Sequence, residues 1–360
     1  MIDWVFNFIS DYLGVIIGCI KAVIIAVVLL QCVPFLVWLE RRLMGRFQVR
    51  LGPNRVGPFG LIQPIADSIK LLFKESIITN SADKFLFYLA PAIVVFTAIV
   101  SFSAIPFGEP ITIFGQTIGL WVANLDIGLL FIFAVSSMGV YGMVIGGLAS
   151  NNKYSLMGGL RSSAQMISYE LTLGLAALGV IVMSGSLNLS DMVRAQESIP
   201  NIILQPLAFL LFFIAGVAET NRAPFDLPEA EQELVAGFHT EYSGMKFAMF
   251  FMGEYINMIT MSALVTILFL GAWHIPFLSS ATLLSWFDFL GATGSNIVLM
   301  LIHIGVFFSK VVFFIYLQMV IRWTLPRFRY DQIMKLGWKI LLPLSLANIL
   351  VTGLVILALN

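Results

Sequence analysis

Charge is scarce in this 360-residue chain, and cysteine and histidine are scarcer still. Only 11% of residues are charged, with Lys+Arg 20 against Asp+Glu 20 and a net charge of zero. No basic stripe with interleaved aromatics appears, so the signature of a nucleic-acid partner is missing. The two cysteines, Cys19 and Cys32, share the first apolar run. On one helix they stand roughly 20 Å apart, too far for a mutual disulfide. An iron–sulfur cluster needs about four thiolates. His239, His274 and His303 sit at no metal-ligand spacing, and no Gly-rich nucleotide fingerprint follows a strand. The chain alone is expected to hold no metal and no cofactor, so redox chemistry falls to a partner. Residues 1–13 carry Asp3 and Asp11 and no cation, unlike a signal or transit peptide.

What is abundant is grease. Hydrophobic residues make up 59% of the chain, mean hydropathy is +0.95, and there are 31 Phe and 16 Met, far from soluble-domain usage. Runs near the ~20 residues that span a bilayer recur at roughly 14–38, 84–105, 124–148, 163–184, 202–218, 245–270, 297–320 and 339–358. Barrel-type alternation is absent. The expectation is one all-α polytopic membrane domain over residues 1–360, with about eight transmembrane helices and a short fifth. Of the twenty Lys and Arg, all but Lys21, Arg194 and Lys310 fall in or beside the odd-numbered loops. The positive-inside rule places those loops in the cytoplasm or matrix. Gly142-Met-Val-Ile-Gly146 offers another helix a close approach to the third span.

The first inner loop, residues 39–83, contains Glu-Arg-Arg (40–42), Gly/Pro turns and then a helical pattern. Ile62, Ile65, Ala66, Ile69, Leu72 and Phe73 share one face; Gln63, Asp67, Lys70 and Lys74 share another. Too charged to span, this amphipathic helix should lie in the interface. Residue chemistry alone favours an anchor with snorkelling lysines over a mouth for an amphiphilic ligand.

The acidic loop, residues 219–244, gathers Glu219, Asp226, Glu229, Glu231, Glu233 and Glu241 against one Arg, Arg222. Asp226-Leu-Pro-Glu229 has the form of a capping box with Pro inside the helix start. That accounts for part of the cluster, leaving Glu219, Glu233 and Glu241 unexplained. Like charges this close cannot all ionise without cost. Glu170 and Glu254 lie inside spans four and six, and Lys310 inside span seven near His303. Ionisable groups at such depth are candidates for proton or ion paths. The structural alternative is a pair such as Glu254 with Lys310.

Several segments have a family likeness. They are Glu-Arg-Arg-Leu-Met-Gly-Arg (40–46), Arg50-Leu-Gly-Pro-Asn-Arg-Val-Gly, Gln63-Pro-Ile-Ala-Asp67-Ser-Ile-Lys70-Leu, Glu219-Thr-Asn-Arg222-Ala-Pro-Phe-Asp226-Leu, Glu231-Gln-Glu233-Leu-Val-Ala-Gly, Phe251-Met-Gly-Glu254-Tyr and Pro326-Arg-Phe-Arg-Tyr-Asp-Gln. From about residue 34 to 340 the chain resembles the H-type membrane subunits (subunit 1 in mitochondria) of respiratory complex I, the proton-pumping NADH:quinone oxidoreductase. The resemblance implies a quinone chamber lined by Glu40, Arg41, Arg50, Asp67, Lys70, Arg222 and Asp226. It also implies a proton relay through Glu170, Glu219, Glu229, Glu231, Glu233 and Glu254. Quinone is then the substrate, with FMN and iron–sulfur clusters in a hydrophilic arm and antiporter-like subunits further along the membrane. The implied home is a bacterial or mitochondrial inner membrane. Membrane subunits of energy-converting hydrogenases share the outline. A stand-alone ion-coupled transporter is the alternative of another class; the lack of matching broken helices counts against it.

Overall fold

Backbone amides inside a bilayer have no water to bond, so each apolar run must close its hydrogen bonds internally. Helices do this here almost throughout. The computed structural model describes residues 2–359 apart from 114–115, 227–234, 277, 279 and 288–290. In chain order the elements are α1 (Ile2–Phe47), α2 (Gln63–Phe73), α3 (Lys84–Phe102), a hairpin of β1 (Ile111–Ile113) and β2 (Gln116–Ile118), α4 (Gly128–Ala149) and α5 (Lys153–Ser184). Then follow α6 (Leu189–Arg194), α7 (Asn201–Leu204), α8 (Pro206–Glu219), α9 (Gly244–Leu270), α10 (Ser280–Trp286), α11 (Gly291–Thr324), α12 (Tyr330–Lys335) and α13 (Leu342–Leu359).

Seven helices among the described residues are long and apolar enough to cross a membrane: α1, α3, α4, α5, α9, α11 and the run from α12 through α13. The eighth apolar segment is α8, at 14 residues. It rises about 21 Å, short of a ~30 Å hydrocarbon core, and α7 precedes it after a break at Gln205. The eight expected spans are thus seven full helices and one short one. A small antiparallel hairpin, with Thr112 opposite Thr117, joins this otherwise helical fold. Lys21 of α1 donates from Nζ to Gly119 O just beyond it at 2.9 Å.

The core gathers around α9, of whose membrane window 89% is buried, against 17% for α1 and for the C-terminal run. Hydroxyls of Thr260, Ser262 and Thr266 on α9 donate to carbonyls four residues back, which satisfies them in the interior. Close helix approach depends on small residues, as expected for membrane packing. A Cβ on Gly142 of α4 would stand 2.5 Å from Val94 Cγ2, and one on Gly253 of α9 would stand 2.5 Å from Val94 Cγ1. Val94 of α3 is therefore held between two glycines.

Lys310 does not pair with Glu254. Its ammonium caps the C-terminal end of α9, donating to Leu270 O, Ala272 O and His274 O at 2.8, 2.8 and 2.7 Å. Glu254 lies sixteen residues before Leu270 on that helix, about 24 Å away along the axis. A cation at a helix C-terminus is favoured by the dipole.

Candidate functional site

α1 does not end where its charges begin. It continues through Glu40 and Arg41 to Phe47, so Val33, Val37, Glu40, Arg41 and Met44 line up along one side. That side, α2, the N-terminal half of α9 and the C-terminal end of α11 enclose a cavity of about 580 Å³. Its walls are mainly apolar, with Leu30, Pro34, Leu71, Phe251 and Met252 among them. Its polar groups are Glu40, Arg41, Asp67, Ser68, Tyr255 and Arg322. Three of the seven expected chamber residues, Glu40, Arg41 and Asp67, thus meet at one cavity. Tyr255 and Arg322 join them, although neither has a site signal of its own in the sequence. Tyr255 follows Glu254 in a quoted motif, while Arg322 carries only a topological signal.

Glu40 is the hub. It is buried, and its Oε2 accepts from Arg222 Nη1 at 3.1 Å and from Tyr255 OH at 2.7 Å. Its Oε1 accepts from Arg322 Nη1. The Arg222 guanidinium lies over the Tyr255 ring at 3.9 Å, with Nη1 also against Met258 Sδ. Among the described residues Nε and Nη2 of Arg222 are buried without an acceptor, and the charge of Glu254 acts on the same guanidinium. Glu40 thus lies between two arginines at the end of an apolar cavity.

Asp67 forms the other polar edge. Its carboxylate takes Arg41 from α1, Lys70 Nζ at 3.2 Å and Gln63 Nε2 at 3.3 Å. Partial burial pushes its pKa up, but hydrogen bonds and charge from Arg41 and Lys70 outweigh that and hold it below the usual carboxylate value. The apolar face of α2 expected from the sequence is exposed, Ile65 by 56% and Phe73 by 87%, as a lipid-facing surface requires. Lys70 is exposed beside Asp67. Arg50 lies on the turn after α1, donating from Nε to Gln48 Oε1 at 2.7 Å outside the cavity lining. Asp226 is buried and paired with Arg327 at 3.0 Å.

A second polar centre lies deeper, between α4, α5, α8 and α9. Glu219, buried at the end of α8, borders a cavity of about 10 Å³ with Ser101, Ser136, Thr220, Asn257 and Thr260. Glu170 on α5 accepts from Ser137 on α4, and its charge reaches Glu219. Glu241 holds the start of α5, accepting from Asn152 Nδ2 at 2.8 Å. Glu229, Glu231 and Glu233, and with them the expected cap on Asp226, lie outside the described residues. Among the described residues no three His, Cys, Asp or Glu side chains converge as metal ligands, and Cys19 and Cys32 are free.

The chain is similar to known proteins over nearly its whole length. A family profile described as NADH dehydrogenase matches residues 20–353. The NADH-quinone oxidoreductase H-type subunit numbered 2 in Syntrophobacter fumaroxidans is 50% identical over 340 residues, covering 94% of this chain and 96% of that protein. The H-type subunit numbered 1 in Geobacter metallireducens is 51% identical over 345 residues, 96% of this chain and 98% of its own. The H-type subunit of Thermomicrobium roseum is 48% identical over 355 residues, with 96% and 97% covered. The chain belongs to the NADH dehydrogenase family, as a multi-pass membrane subunit of the NADH-quinone oxidoreductase H type.

Proposed function

We propose that this chain forms the membrane wall of a quinone chamber and couples quinone reduction to proton movement through its buried carboxylates. The observation that carries the reading is the 580 Å³ cavity, apolar along its length and ending on Glu40, Tyr255 and Arg322. A quinone is an apolar tail with a dicarbonyl head. The tail suits walls such as Leu30, Pro34 and Phe251, and the head suits a donor-rich end. The exposed apolar face of α2 sets the mouth at the lipid boundary. Arg50, Lys70, Arg222 and Asp226 support the chamber from its rim and from behind Glu40. Electrons come from partner subunits carrying FMN and iron–sulfur clusters, since two cysteines cannot ligate a cluster needing about four thiolates.

Reduction adds negative charge to the head until protons follow. At an effective dielectric constant near 20, a unit charge about 10 Å away is worth roughly 1.7 kcal/mol, about a tenfold change in proton affinity. Arg222 stands between the chamber and Glu254, because it bonds Glu40 and feels the Glu254 charge. Charge at the head is thereby passed to Glu254, Glu219 and Glu170, and onward through the acidic segment of Glu229, Glu231 and Glu233. The odd-numbered loops face the cytoplasm. A photoreactive short-chain quinone applied to the assembled complex tests the reading. Labelling of α1, α2 or α9 inside the cavity, competed by unmodified quinone, is expected; labelling confined to other subunits rejects it.

A further inference from the structure

The start of α9 joins an uncapped helix end to a buried cation. The first N–H groups of a helix have no intrahelical acceptor, and a serine at the N-cap normally answers them. Ser243 holds that position, yet no side chain caps the helix, and its Oγ is buried without a partner among the described residues. Lys246 follows in the first turn, where the helix dipole disfavours a cation. It is 8% exposed, and its Nζ has no hydrogen-bond partner among the described residues. The ammonium lies 4.0 Å from the ring centre of Tyr88 and 5.0 Å from that of Phe87. Phe87 also stacks at 4.0 Å on Tyr242, the residue before Ser243, so the ammonium is turned back toward the helix start. Two ring faces offset part of its charge, but they give its N–H donors no oxygen.

This corner lies at the membrane boundary. α3 runs 19 residues from Lys84, about 28 Å, so its first turn stands at the edge of a ~30 Å hydrocarbon core. Phe85 and Tyr88 there are exposed, as aromatic residues at a bilayer interface are. The segment leaving α2 crosses the start of α9. A Cβ on Gly244 would stand 3.4 Å from Leu71 O and Lys74 O, and 3.9 Å from Lys74 Cβ. Lys74 is exposed, as are the apolar Leu72 and Phe73 before it. Two lysines therefore flank one helix end, one buried and one at the surface. The carboxylate that starts α3, Asp83, is engaged with the N–H groups of Phe85 and Leu86.

We propose that the start of α9 binds the phosphate of an anionic phospholipid. Lys246 meets it from within and Lys74 from the surface, while Ser243 Oγ and the N–H groups of the first turn donate to its oxygens. Helix N-termini bind phosphates in this way. Tyr88 is the exposed ring between Lys246 and the lipid, and the acyl chains lie along the exposed apolar face of α2. Two ammonium groups select against a zwitterionic headgroup, whose own cation they repel.

The test places the assembled complex in nanodiscs of phosphatidylcholine, with or without phosphatidylglycerol, and adds a phosphatidylglycerol with a photoreactive headgroup. Label is expected on residues 72–88 or 242–248, competed by phosphatidylglycerol and not by phosphatidylcholine. Lys246→Met should lower it roughly tenfold, the scale of one hydrogen bond to a charged group. Lys246→Arg should retain most of it. Lys74→Gln, at an exposed position, should lower it several-fold and decides the matter if the buried variant does not assemble. Thermal unfolding separates a site from a packing role. Phosphatidylglycerol should raise the midpoint of the wild type and leave that of Lys246→Met unmoved, because a ligand stabilises only the protein that binds it. A Met variant destabilised equally in both lipids, with wild-type labelling, would make Lys246 a packing residue and overturn the proposal. Protection by inorganic phosphate as well as phosphatidylglycerol supports the phosphate chemistry; protection by inorganic phosphate alone rejects the lipid as its source.

Discussion

Arg222 and Tyr255 hold one oxygen of Glu40 between them. The guanidinium lies 3.9 Å from the tyrosine ring centre, and both groups donate to Glu40 Oε2, at 3.1 and 2.7 Å. The three residues come from the end of α1, the loop after α8 and the middle of α9. Together they tie the cavity to the helix that carries Glu254.

The first prediction separates charge from shape at that junction. Tyr255→Phe keeps the ring under Arg222 and removes one hydrogen bond, a loss of about 1 kcal/mol. The complex should assemble, with a raised KM for quinone and an unchanged KM for NADH. Glu40→Gln leaves the buried Arg222 opposite a neutral amide, and removing one partner of a buried pair costs about 3–5 kcal/mol. Assembly should fail or fall steeply in membranes assayed by native electrophoresis. Equal, mild effects of both changes would show that Glu40 is not the hub.

Asp67 sets the pH dependence of the α1–α2 edge. Its pKa is lowered in the folded chain, so its pairing contributes stability above the ordinary value of 3.8 and loses it as pH falls through the lower folded value. At neutral pH the contribution is fully present. Arg41 is 43% exposed, which limits the pair to about 0.2–1 kcal/mol. Asp67→Asn should leave assembly intact, loosen α2 as seen by protease access to the loop between α1 and α3, and abolish acid-induced loosening below about pH 4. A variant that still loosens in acid as the wild type does would remove Asp67 from that role.

Much of this is legible in the sequence, and the reasons differ by element. Runs such as 245–270 announce α9 because apolar length is the signal a bilayer demands. The glycines at 142 and 146 announce close packing, since a missing side chain has few other uses inside a span. The end of α1 is hidden because Arg41, Arg42 and Arg46 look like loop charges, yet the helix carries them to Phe47. The Glu40 hub is hidden because its partners lie 182, 215 and 282 residues away in sequence, and no local pattern encodes such a meeting. Ser137 carries no periodic signal at all; hydroxyls inside spans normally bond their own helix, and only the arrival of Glu170 from α5 gives this one a second partner.

Packing at Val94 gives a third prediction. Gly253→Ala places a Cβ 2.5 Å from Val94 Cγ1, and overpacking of this kind costs about 1–3 kcal/mol. Val94→Ala alone leaves a small void. The double variant should be more stable to heat in detergent than the sum of the single changes predicts, because the two side chains share one space. Strict additivity would mean that α3 and α9 do not meet there.

Glu254 carries the prediction that bears most on coupling. It is buried in the N-terminal half of α9, and its charge acts on Arg222. Arg222 gives one nitrogen to Glu40, while Nε and Nη2 have no acceptor among the described residues. Charge arriving at the chamber changes how strongly Arg222 is held by Glu40, and so changes the field at Glu254. Lys310, bound to three carbonyls at the far end of α9, does not offset that field by pairing. Glu254→Gln keeps the size of the side chain but cannot release a proton; Glu254→Asp keeps the acid and shortens its reach. Both should assemble. Quinone-linked turnover and proton pumping should fall severely in Gln and be partly kept in Asp, while oxidation of NADH by a soluble acceptor stays at the wild-type rate in both. Arg222→Lys should mimic part of the Gln defect, because a point charge neither stacks on Tyr255 nor presents the same fork. An assembled Glu254→Gln complex that pumps at the wild-type rate would take this carboxylate off the proton path.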